Sequence, residues 1–160
     1  MPFFNTKGIY NIMSKLLITR IFTPQTVEAG ALVNQGTTYR RYAPPCACSK
    51  AIVNNGTSVI LYGTGMYEVE VEATFTSAAA GDVTLQLFAN GVAIDGAFAT
   101  ETITTADTEV RSVSFSTYVV VDQTRVLGIN AITPVTITLV STGTTEVDFT
   151  RVQVAYKTAI

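Results

Sequence analysis

Three glutamates spaced two apart, Glu68, Glu70 and Glu72, form the densest run of chemically active side chains in the sequence. In an extended chain that spacing puts all three carboxylates on one side, about 7 Å from one to the next. Several oxygen ligands on one face are what a hard cation such as calcium requires. The same spacing also describes a solvated strand face. That reading accounts as well for the apolar residues between the glutamates, so no metal site is assigned. Cys46 and Cys48 flank one residue, and in an extended chain their Cα atoms would lie about 6.5–7 Å apart, at or beyond the reach of an unstrained disulfide. A zinc set would need two further soft ligands, and the chain contains no histidine. The pair is read as two small residues in a loop after Pro44-Pro45, and a threefold axis gathering several copies of the loop is the other reading.

The absence of histidine also removes the usual base for a serine or cysteine nucleophile. Asp95, Asp107 and Asp122 fall in turn-like segments, where aspartate bonds to its local backbone. No pair of carboxylates stands apart from the strand pattern as glycoside hydrolysis would require. The expectation is a protein that is not an enzyme and uses no cofactor.

The elements that carry these residues show a period of two throughout. Tyr67, Val69, Val71, Ala73 and Phe75 form one face of a segment whose other face holds the glutamates. Residues 78–82 read as a turn, and Val83, Leu85 and Leu87 as the inward face of the next strand. Asn90-Gly91 is a strong hairpin signal, because both residues tolerate positive φ. The return strand starts near Val92 and is expected to break near Asp95-Gly96. Residues 110–121 form another strand, with Val113, Phe115, Val119 and Val121 in phase. A turn at Asp122-Gln123 leads to a strand over 126–132, Pro134 restarts the chain, and residues 141–143 turn it again. In the last strand, 146–157, the apolar phase slips between Phe149 and Val152, which predicts a β-bulge near Thr150-Arg151. No segment has helical periodicity. The expected fold class is all-β, an antiparallel two-sheet jelly-roll sandwich.

Hydrophobic residues make up 48% of the chain and charged residues 14%. The first figure excludes a disordered chain, and the second is well below the roughly one quarter usual for a soluble protein. Such a surface suits a subunit packed among neighbours. The net charge is −2 and Arg40-Arg41 is the only basic pair, so nucleic acid is not an expected partner. No apolar run approaches the roughly 18–20 residues of a membrane span, and no signal peptide is legible.

Residues 1–22 differ from the rest. Phe3, Phe4, Ile9 and Tyr10 lack clean periodicity, and Met13 offers a second start of translation. This segment is read as an extended N-terminal arm that docks on a partner, with residues 23–160 as the jelly-roll domain. Phe88 and Tyr118 fall on otherwise polar strand faces and are candidates for interface or partner contact.

From Gly63-Thr64-Gly65-Met66-Tyr67 through Asp82–Ile94 to the closing hydrophobic strand, the sequence resembles the jelly rolls of the tumour-necrosis-factor and complement globular-head superfamily. Within it, the chain is most similar to small versions encoded by phages and prophages of gut bacteria. The stretch Thr23–Gly30 and the run Arg40-Arg41-Tyr42 match more loosely. The resemblance implies a compact homotrimer and no catalytic residues. The expected function is a virion structural protein, a trimeric capsid-decorating or head-fibre component. It would be made in the host bacterial cytoplasm and docked by its arm on capsid or portal-vertex neighbours. The alternative is a knob of a phage appendage that binds a host surface glycan or receptor. A bacterial spore-coat or surface-layer jelly roll is a third reading.

Overall fold

The computed structural model describes residues 15–42, 52–126, 129–143 and 145–159. Among them run thirteen strands and no helix. In chain order these are β1 Leu16–Ile21, β2 Gln25–Val27, β3 Thr37–Tyr42, β4 Ile52–Asn54, β5 Ser58–Leu61, β6 Gly65–Ser77 and β7 Gly81–Ala89. They continue as β8 Val92–Ile103, β9 Arg111–Val121, β10 Gln123–Val126, β11 Ile129–Ile132, β12 Val135–Gly143 and β13 Val147–Thr158.

The first sheet runs β3-β1-β13-β6-β9, with β2 also paired to β13, and the second runs β4-β5-β12-β7-β8. Every ladder is antiparallel. The alternation in β6 places Tyr67, Val69, Val71, Ala73 and Phe75 in the space between the sheets, all buried. Leu85, Leu87, Ile137 and Leu139 meet them from the second sheet, each fully buried. Phe75 and Phe149, directly opposite on β6 and β13, pack with ring centroids 5.6 Å apart and planes tilted by 58°. Tilted pairs keep the positive ring edge toward a negative face, so they add to the burial itself.

The pairing register of β13 on β6 shifts between Phe149 and Arg151. Val147 and Phe149 point inward before the shift, and Val152, Val154 and Tyr156 after it. One extra residue therefore keeps both apolar sets in the core, as the phase slip in the sequence predicts. At the β7–β8 hairpin, Asn90 has φ 50 and Gly91 φ 80, as a two-residue turn with two left-handed positions demands.

Three sequence expectations are corrected. The boundary at residue 22 does not separate arm from domain, because Leu16–Ile21 is strand β1, paired on both sides, with Leu17 fully buried. The alternation of Leu17 and Thr19 inward with Leu16, Ile18 and Arg20 outward is too short to stand out beside the aperiodic residues before it. The segment 126–132 is not one strand but part of a hairpin, β10 with β11. The break near Asp95-Gly96 is a register shift within a continuous β8. There the two N–H groups of the Gln86 carboxamide are shared among the carbonyls of Leu87, Ile94 and Ala97, and so supply donors that the irregular ladder lacks. Phe3, Phe4, Ile9, Tyr10, Cys46 and Cys48 lie outside the described residues.

Candidate functional site

The outer face of the first sheet brings together four of the residues singled out above, the three glutamates and Tyr118. Glu68, Glu70 and Glu72 project from β6 between β13 and β9. Lys157 Nζ on β13 lies 3.4 Å from Glu68 Oε2 and 3.2 Å from Glu70 Oε1, and Arg151 Nη2 lies 3.3 Å from Glu72 Oε2. Hydrogen bonding to Glu70, followed by the charges of both glutamates, pushes the Lys157 ammonium above its ordinary pKa. The ladder is thus an ion-paired sheet surface. Among the described residues no group of three His, Cys, Asp or Glu side chains is arranged to hold a metal ion.

Tyr118 lies beside Glu68 on the edge strand β9 and is 60% exposed. Its neighbour on the same face, Val120, is 55% exposed. At the opposite edge Tyr42 on β3 is also exposed, and pairing places Tyr42, Leu16, Lys157, Glu68 and Tyr118 in one row across five strands. Phe88 is half-buried on β7 of the second sheet, beside Ala93 and Thr138. The two candidate aromatics therefore belong to different surfaces.

A third constellation was not legible beforehand. Arg20 sits at the far end of β1 with its guanidinium 3.7 Å from the ring centre of Tyr39 and 5.1 Å from that of Phe22. Its Nε donates to Gln153 Oε1 at 2.9 Å. The guanidinium of Arg151 lies 6.0 Å from the ring centre of Phe22, and that of Arg40 lies 6.0 Å from that of Tyr39. No signal in the sequence marks this cluster, because its residues come from separate strands and Arg20 and Phe22 fall within the segment read as the arm.

No family model matches the chain, and no curated protein matches it. Solved structures do. The globular domain of a zebrafish complement 1qA protein superposes with a TM-score of 0.57 at 7% identity, covering 91% of this chain and 97% of that one. Murine APRIL gives 0.57 at 8% identity over 91% and 98% of the two chains. The Eiger TNF of S. frugiperda gives 0.54 at 10% identity, over 92% of each. The chain has the jelly-roll fold of these structures. At such identities the likeness concerns the backbone, and no site residue transfers by it. In this jelly roll the ion-paired glutamates and exposed tyrosines share the outer face of one sheet. The arginine cluster occupies the end of that sheet where β1 ends and β3 begins.

Proposed function

We propose that this protein is a non-enzymatic structural subunit of a bacteriophage particle, a homotrimer that packs through the outer face of its first sheet and attaches by its N-terminal residues. The observation that carries the trimer is the pair of exposed apolar patches on that face, Tyr118 with Val120 at one edge and Tyr42 at the other. A threefold ring joins two different patches of each copy, and two edges of one face meet that requirement. Each tyrosine contributes roughly 150–250 Å² when fully covered. Assignment to a phage rests on the resemblance carried by residues 63–94, and the low charge of the chain, 14%, fits a subunit surrounded by neighbours.

Attachment is assigned to the arm that precedes β1, with Phe3, Phe4, Ile9 and Tyr10 as its anchors. Covering these side chains would give a gross gain of several kcal/mol at roughly 25 cal/mol per Å². Three arms on one trimer would act together through their high local concentration. The test removes the arm without touching the sheet. A chain beginning at Met13 retains all of β1 and is expected to fold and trimerise, yet to be absent from purified particles. Full incorporation of the shortened chain would refute attachment by the arm.

A further inference from the structure

The arginine cluster borders a cleft of about 720 Å³, lined by Arg20, Phe22, Asn34, Thr37, Thr38 and Asn54 among others. That volume lies within the range of small-ligand sites. Its floor is fixed by local hydrogen bonds. Asn34 Oδ1 accepts from the Gly36 N–H at 2.8 Å, while Asn54 donates to the Gly36 carbonyl at 2.9 Å and accepts from the Gly56 N–H at 2.8 Å. Gln25 ties down both backbone groups of Asn34, at 2.8 and 2.9 Å. A cleft held this firmly has little left to order when a ligand enters.

We infer that this cleft binds a saccharide bearing a carboxylate. Stacking on Tyr39 and the bond to Gln153 hold the Arg20 guanidinium by one face and by Nε. Its two terminal nitrogens make no hydrogen bond among the described residues, and together they form the planar fork that matches a carboxylate. Phe22 is 58% exposed at the rim and offers an apolar surface to the C–H face of a sugar ring. Thr37 and Thr38 are exposed beside it, with hydroxyls that donate and accept as sugar hydroxyls do. The surrounding charge is of the right sign. Arg40 and Arg151 flank the aromatic pair, and Glu72 is already engaged by Arg151. A nucleic acid would need a track of cations along several phosphates, which a chain of net charge −2 with this one arginine group does not lay out. The cleft is also removed from the tyrosine row, since Arg20 and Leu16 are four residues apart on β1, about 13 Å.

The test uses the full chain and titration calorimetry with four probes: tetragalacturonate, a sialylated trisaccharide, the carboxyl-reduced neutral counterpart of the first, and inorganic phosphate. At least one acidic saccharide is expected to bind, at least about tenfold more tightly than the neutral counterpart or phosphate. Arg20→Gln should weaken that binding by about tenfold or more, Arg20→Lys by less, and Phe22→Ser should weaken acidic and neutral sugars alike. All three variants should keep the native far-ultraviolet spectrum and oligomeric state. Binding of neither acidic saccharide, equal binding of phosphate, or indifference to Arg20→Gln would overturn the inference. So would dissociation of the oligomer by Arg20→Gln, which would make this cleft a contact between copies. Trimerisation and particle attachment are read by separate measurements and can fail independently.

Discussion

The hydroxyl of Tyr156 donates a hydrogen bond to Oε1 of Gln35, and both side chains are fully buried between the sheets. Gln35 also reaches the Ile137 carbonyl through Nε2 at 3.5 Å, and its backbone N–H donates to Gly56 at 2.9 Å. The carboxamide thus links β13 of the first sheet to β12 of the second, and the backbone N–H of the same residue ties in the loop before β5. Burial pushes the Tyr156 hydroxyl far above its ordinary pKa, so it remains a donor at any working pH.

Tyr156→Phe should therefore lower stability by about 1–3 kcal/mol, because it leaves Gln35 Oε1 buried without a partner. Chemical denaturation would show the change as a shifted midpoint with an unchanged slope. A midpoint equal to the native one would mean that the bond is replaced or never contributed.

The fold was legible where apolar period-two runs are long. Residues 67–75 and 83–87 give their inward faces directly, and the phase slip between Phe149 and Val152 locates the bulge. Strands β2 to β5 are short or, like β3 with Thr37-Thr38-Tyr39-Arg40-Arg41-Tyr42, exposed along their whole length. A strand exposed along its whole length has no buried face to impose a pattern, so its position depends on pairing that sequence alone does not display. The cleft was illegible for a related reason. Arg20, Tyr39, Arg151 and Gln153 come from three strands and meet only through the order β3-β1-β13.

Glu109 forms a second polar clamp, at the turn between β8 and β9. Its carboxylate accepts from the N–H groups of Thr104 and Thr105, at 2.6 and 2.9 Å, and pairs with Arg111. These bonds, the backbone ones first, lower its pKa from 4.5 to about 2. A carboxyl with a depressed folded-state pKa stabilises the fold above its unfolded value. That contribution fades as pH falls from about 4.5 through about 2. The native chain should be more stable than Glu109→Gln at pH 7, and the difference should shrink across that window. A difference independent of pH down to 2 would contradict the clamp.

Gly36 is buried at φ +92, and a Cβ there would stand 2.2 Å from the Arg20 carbonyl oxygen. Gly36→Ala combines a left-handed backbone, unfavourable by about 1–2 kcal/mol, with a collision against backbone that cannot swing aside. The loss should exceed about 2 kcal/mol and should be visible in thermal denaturation. Gly30→Ala, also at positive φ but with nothing within 4 Å, should lose only the backbone part. Equal effects of the two substitutions would show that the close approach at Gly36 is relieved without strain.

The trimer is the claim on which the structural role depends, and native mass spectrometry of the full chain at micromolar concentration tests it most directly. The exposed row from Tyr42 to Tyr118 predicts a single species of three copies. Tyr118→Lys would place an ammonium in the covered patch and should shift the population toward monomers. A native chain that runs as a stable monomer, or a Tyr118→Lys variant that trimerises as fully as the native protein, would contradict assembly through this face.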